Sequence, residues 1–162
     1  VAWSNSKLFR QYLADVIENT TAIDWSGDAS IKAALYDNDI TPDNDVSAAN
    51  SAYNAGQWVI TGNEVIDSTG GGTDWPAGGV NLASRTVNVG SADVVFLDAN
   101  DTASGTTADI AGAYGCLVYA DTIAAPVADQ GICYNYFGGS NSVTNGTFTI
   151  VWSANGVVRF TL

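Results

Sequence analysis

Asp37, Asp39, Asp43 and Asp45 crowd into nine positions of the stretch YDNDITPDNDV (36–46). Carboxylates so spaced suit calcium, which takes about six to eight oxygens from carboxylates, carbonyls and water. The EF-hand order fails here. Asp37 and Asp39 fit its first two ligand positions, but Thr41 falls at the third, Pro42 replaces the glycine, and Ala48 stands where the closing glutamate belongs. An irregular site on the four aspartates stays open at this level. The competing reading is a polar loop between strands, made of Asx-turns and a Thr41–Pro42 turn start. The turn is the expectation adopted.

Other chemistry is scarce. The chain has no histidine, which removes the commonest general base, the commonest metal ligand and every Ser-His or Cys-His pair. Cys116 and Cys133 are too few for a disulfide framework or a structural zinc site. They read as small buried apolar residues, with a single bridge open if they lie on neighbouring strands. Paired carboxylates can hydrolyse glycosides, yet with 17 acidic residues no pair stands out. The glycine run at 70–72 is followed by no lysine and no helical pattern, so it reads as a surface loop rather than a phosphate cradle. Asn19, Asn100 and Asn145 open N-x-T triplets and read as turn residues before β-formers. These residues point to no enzyme, and no cofactor is expected.

Five Lys and Arg against 17 Asp and Glu give a net charge of −12. That charge repels phosphate backbones, so no nucleic-acid partner is expected. No apolar run approaches the ~20 residues that span a bilayer, so no membrane partner is expected either. The start, VAWSNSKLFRQYLADVIEN, is amphipathic and lacks the apolar run of a signal peptide. Beginning at Val1 in a chain without Met, it reads as having lost an initiator Met. A length of 162 residues suits one domain, 1–162, with a core of its own.

The elements that must hold these residues are mostly strands. Leu8, Phe9, Tyr12, Leu13, Val16 and Ile17 share one broad face of an N-terminal helix within residues 1–20, which Ser4, Asn5 or Ser6 can cap. From Ile31 to the end the runs IKAALY, QWVIT, RTVNV, DVVFLD, AYGCLVYAD, GICYNYF, TFTIVW and GVVRFTL are β-branched or aromatic and bounded by turn residues. In TFTIVW, Phe148, Ile150 and Trp152 alternate with Thr147, Thr149 and Val151. Asn155–Gly156 suits a tight hairpin between the last two strands. The stretches 67–81 and 98–113 read as loops, the first carrying Trp75, which either anchors a partner or folds back on its own sheet. The expected fold is mainly β: a single-domain sandwich or barrel of about eight strands over 31–162 with one N-terminal α-helix.

Three segments resemble a family of small virion proteins of tailed bacteriophages, of the head-decoration or minor-tail type. They are DASIKAALYDNDITPDNDV preceded by AIDW, GCLVYADTIAAPVADQGICYNYFGG, and the terminal NSVTNGTFTIVWSANGVVRFTL. The resemblance covers both ends and much of the middle, least so the loops around Trp75 and after Asp98. It implies a β-rich, non-enzymatic building block with no catalytic or cofactor residues to carry over. The implied role is a capsid decoration protein on the phage head surface, made in the host bacterial cytoplasm and bound to the major capsid protein. A tail tube or minor tail protein is the alternative, with 67–81 as the only segment long enough to join subunits. A carbohydrate-binding sandwich is a third reading, from a different class. Self-association into a symmetric oligomer is expected on a repeated lattice. Val1, Trp3, Leu8, Phe9 and Trp75 are the candidate partner anchors.

Overall fold

The computed structural model describes residues 3–69, 72–90 and 93–162. Its strands are β1 (Lys7–Leu8), β2 (Ile31–Tyr36), β3 (Glu64–Val65), β4 (Val80–Asn81), β5 (Thr86–Val89) and β6 (Val94–Asp98). There follow β7 (Thr102–Ala103), β8 (Ala108–Ala120), β9 (Gly131–Gly146), β10 (Thr149–Ile150) and β11 (Val158–Thr161). Helix α1 spans Arg10–Ile17, α2 is a single turn at Ala48–Ser51, and a 3-10 turn covers Gly56–Trp58. The main sheet runs β1-β9-β8-β2-β3, with β4 also on β2, and β11-β6-β5 form a second sheet. All pairs are antiparallel. The chain is a mainly β, sandwich-like domain; the barrel alternative is corrected, because every sheet is open at both edges.

The longest feature is a bent ribbon. Strands β8 and β9 pair from Tyr119–Gly131 out to Ala108–Gly146, and β7 with β10 continues it at Ala103–Thr149 and Thr102–Ile150. Register shifts at several points curl it, as bulges do. Its inner half is the centre of the fold, because β2 lies along Gly115–Ala120.

IKAALY is apolar but for half-buried Lys32 because β2 is covered on both faces. Lys32, Ala34 and Tyr36 lie opposite Tyr119, Leu117 and Gly115; Ile31, Ala33 and Leu35 lie opposite Ala120, Val118 and Cys116. An aromatic cluster covers the first set. Trp58 sits 5.2 Å from Tyr36, 5.8 Å from Trp3 and 6.1 Å from Phe9, mostly edge to face. Trp3 is so close to the sheet that a Cβ on Gly115 would lie 2.4 Å from its ring and 2.5 Å from the Asn135 carbonyl oxygen. Gly79 is equally constrained, at φ +81° with its missing Cβ 1.9 Å from the Ala33 carbonyl oxygen. Leu97, Val157 and Val158 bring the second sheet into the same continuous core.

Several expectations are corrected. The N-terminal helix starts at Arg10, not near Ser4–Ser6, since Lys7–Leu8 pair with Cys133–Tyr134 and Ser6 Oγ accepts from the Tyr136 N–H. Strand β1, ahead of the helix, is an edge of the main sheet. Leu13, Val16 and Ile17 point to solvent, Ile17 being 76% exposed, while Tyr12 and Asp15 are buried. Asp15 turns inward because Gln130 Nε2 at 2.7 Å and Gln11 Nε2 at 2.8 Å satisfy its two oxygens. QWVIT is no strand; its tryptophan fills the aromatic cluster from the 3-10 turn. The stretches 67–81 and 98–113 hold β4, β7 and the start of β8. The tight turn expected at SANG is present, the Gly156 N–H donating to the Ser153 carbonyl at 2.8 Å, but the last two strands do not pair with each other, because β10 pairs with β7 and β11 with β6. Gly156 alone of the Asn155–Gly156 pair has positive φ. The alternation in TFTIVW does hold: Phe148 and Ile150 are buried, Trp152 is half-buried, and Thr147, Thr149 and Val151 are exposed.

Candidate interaction surfaces

The aspartate loop is a turn. The Asp39 N–H donates to Asp37 Oδ1 and the Asp45 N–H to Asp43 Oδ1, both at 2.9 Å, which are the two expected Asx-turns. Gln57 clamps Asp43 from both sides, accepting from its N–H and donating to its carbonyl at 2.8 Å. Asp45 pairs with Arg10 at 2.9 Å on the surface. The four carboxylates are thus spread along the turn rather than aimed at one point.

The candidate anchors do not form one surface. Trp3, Phe9 and Trp75 are fully buried within the chain, which corrects their assignment as exposed anchors. Trp3 is held by its indole N–H donating to the Asp37 carbonyl at 2.6 Å. Phe9 packs 5.6 Å from Tyr134, and Trp75 folds back edge-on to Phe148 at 5.7 Å. Leu8 is half-buried, and Val1 lies outside the described residues.

What the acidic side chains do is staple loops. Buried Asp67 accepts from the Asp109 N–H at 2.9 Å and the Thr69 N–H at 3.0 Å. The Thr69 hydroxyl at 2.8 Å and the Asp74 N–H at 3.3 Å complete the set. These bonds hold its carboxyl down at about 2, the backbone donors of Asp109 and Thr69 first. Asp74 accepts from the Thr107 N–H and hydroxyl, and Asp109 from the Asn145 N–H. Asp24 accepts from the Gly27 and Ser26 N–H groups, which lowers its pKa.

Three surface clefts stand out among the described residues. One of about 340 Å³ between Asp37, Glu64 and Asp109 is acidic. Burial raises the Asp37 carboxyl; it also raises Glu64, against the opposing bonds from the Gly78 N–H and the Tyr53 hydroxyl. A second, of about 320 Å³, lies on the ribbon over Tyr136, Phe137, Phe148 and Ile150. The third, of about 200 Å³, lies between β1 and β11 and is lined by Lys7 and Arg159. Sequence reasoning missed all three; the first and third join residues from distant elements. The one signal available was the rarity of cations, which makes any two in one place informative.

Cys116 and Cys133 are free, buried thiols on neighbouring strands, Cys133 facing Val118 rather than Cys116. Burial pushes Cys133 up to about 12 and Cys116 well above its usual value. Among the described residues no helix is long and apolar enough to cross a membrane. No protein-family model, no curated protein and no solved structure matches the chain.

Proposed function

We propose that the chain is a non-enzymatic structural protein of a tailed-phage virion, a capsid decoration protein bound to the outside of the major capsid lattice. One observation carries this reading beyond the resemblance. Carboxylates, the groups with which a histidine-free protein would do acid–base chemistry, are spent on backbone N–H groups at Asp24, Asp37, Asp43, Asp67, Asp74 and Asp109. They fix loops, as a particle component needs. The segments that carry the resemblance also form the frame of the fold: β2, the β8–β9 ribbon, and β10 with β11. The test is co-sedimentation of the purified protein with isolated heads and, separately, with isolated tails from particles lacking it. Saturable binding to heads at a ratio tied to capsomer number is the expected result, and binding to neither particle would overturn the virion reading.

A tail location is the second reading, and the ribbon favours it. Among the described residues the β9 strand has no partner on its outer side beyond Tyr136, where β1 covers only Cys133–Tyr134. An unpaired edge of this kind can extend a sheet between subunits. The stretch 67–81, the earlier candidate for that role, is stapled down by Asp67 and Asp74. Binding to tails alone in the same experiment selects this reading.

A further inference from the structure

The chain has five basic residues, and three are committed inside it. Arg10 pairs with Asp45 and Lys32 with Asp121, at 2.9 and 2.8 Å. Arg85 donates to the backbone carbonyls of Trp25, Leu82 and Asp28. Lys7 and Arg159 form no ion pair among the described residues, and Arg159 makes only a 3.2 Å bond to Asn155 Oδ1. These two come from opposite ends of the chain, yet both line the cleft between β1 and β11. No acidic residue lines it, in a protein of net charge −12.

We infer that this cleft receives one glutamate or aspartate side chain from an extended acidic segment of a protein partner. The carboxylate would sit between the Lys7 ammonium and the Arg159 guanidinium, its methylenes against Leu8 and Val158. Charge complementarity selects an anion: two cations without carboxylate partners attract one strongly, and the guanidinium can bind it through two parallel bonds. Size selects a side chain. A volume of about 200 Å³ is below the ~300–1,000 Å³ of small-molecule sites. The apolar walls select a carboxylate on a methylene stem over a bare inorganic anion, and the overall negative charge disfavours a nucleic acid. Strand β11 adds a backbone contribution, because it is the outer strand of its sheet and alternate N–H and C=O groups face away from β6. The inference holds for any protein partner and does not depend on the virion reading.

The test uses the full chain and a fluorescein-labelled hexaglutamate peptide, read by fluorescence anisotropy at low and at physiological salt. Binding should weaken with salt, and Lys7→Ala/Arg159→Ala should weaken it by about tenfold or more with an unchanged melting temperature. Arg159→Lys, which keeps the charge but loses the planar fork, should retain part of the affinity. Equal binding of a hexaglutamine peptide, or undiminished binding by the double variant, would overturn the site. Competition by inorganic phosphate at the same concentration as the peptide would overturn the peptide assignment. A salt-sensitive dimer of the protein alone, lost in the double variant, would make a second copy the occupant and overturn the separate partner.

Discussion

Replacing Trp3 should unfold this protein well before it affects any contact made outside the chain. The side chain is fully buried, stacks 6.3 Å from Tyr136, meets Trp58 and Tyr134 edge-on, and donates to the Asp37 carbonyl. Truncating a buried tryptophan to alanine costs about 3–5 kcal/mol in lost transfer energy and residual cavity. For a chain of this size each kcal/mol moves the melting temperature by about 2–4 °C, so Trp3→Ala should melt about 6–20 °C lower. Trp3→Phe keeps most ring contact and loses the N–H, and should fall well short of that. Deleting residues 1–4 should match the alanine variant. Gly115→Ala provides the cross-check, since its new methyl group would overlap the Trp3 ring. Its cost should shrink in the Trp3→Ala background without vanishing, because the Asn135 carbonyl oxygen still stands 2.5 Å from that position. The assay is thermal melting by circular dichroism, with urea titration to show an unchanged m-value. A Trp3→Ala protein melting within about 2 °C of the parent would refute the packing argument and return Trp3 to the surface as an anchor.

Three further outcomes follow from the same geometry. Asp67→Asn should destabilise at neutral pH and much less in strong acid. The folded carboxyl titrates at about 2 and an unfolded one near ~3.9, so its contribution is full above the unfolded value and is lost as pH falls through the folded one; a constant difference in melting temperature between pH 7 and pH 2 would contradict this. Arg85→Met, which keeps the stem but removes the donors to Trp25, Leu82 and Asp28, should cost about 1.5–3 kcal/mol in urea unfolding. Cys116 and Cys133 should resist a thiol reagent in the native protein at pH 8 and both react in urea, because burial holds both as neutral thiols; native labelling of either would place it at the surface.

The strands that sequence made legible are those whose environment is uniform along their length. IKAALY reads as β because both its faces are buried, and TFTIVW alternates because one of its faces is wet. Pattern fails where a tertiary partner overrides it. Leu13, Val16 and Ile17 have the spacing of a core face, yet Asp15 is what turns inward, because Gln130 from the far end of the β8–β9 loop supplies its donor. QWVIT has β propensity, but a Trp58 in the cluster of Trp3, Phe9 and Tyr36 needs the tighter turn that brings its ring over the sheet. The same limit hid the surface clefts. Lys7 and Arg159 can be found as a pair only once β1 and β11 are known to be outer strands of two sheets that share a core.

The charge balance has a structural meaning that a count of residues conceals. With five cations for 17 acids, ion pairing can neutralise few of the carboxylates, and among the described residues only Arg10–Asp45 and Lys32–Asp121 do so. Most of the others accept from backbone N–H groups, and Asp15 from the Gln11 and Gln130 amides, donors that carry no counter-charge to screen. Stability assembled this way should respond to pH far more than to salt. At Asp24 and Asp67, where those bonds hold the carboxyl down, protonation removes the acceptor, whereas ionic strength acts mainly on exposed pairs at the surface. Where positive charge does remain unpaired, at Lys7 and Arg159, the order is reversed and salt is the sensitive variable. One protein should therefore show two separable electrostatic responses: unfolding driven by acid and little moved by salt, and acidic-peptide binding lost in salt at a pH where the fold is intact. Finding both in the same salt range would mean that the cleft and the loops are one electrostatic unit, and the division of labour argued from these hydrogen bonds would fail.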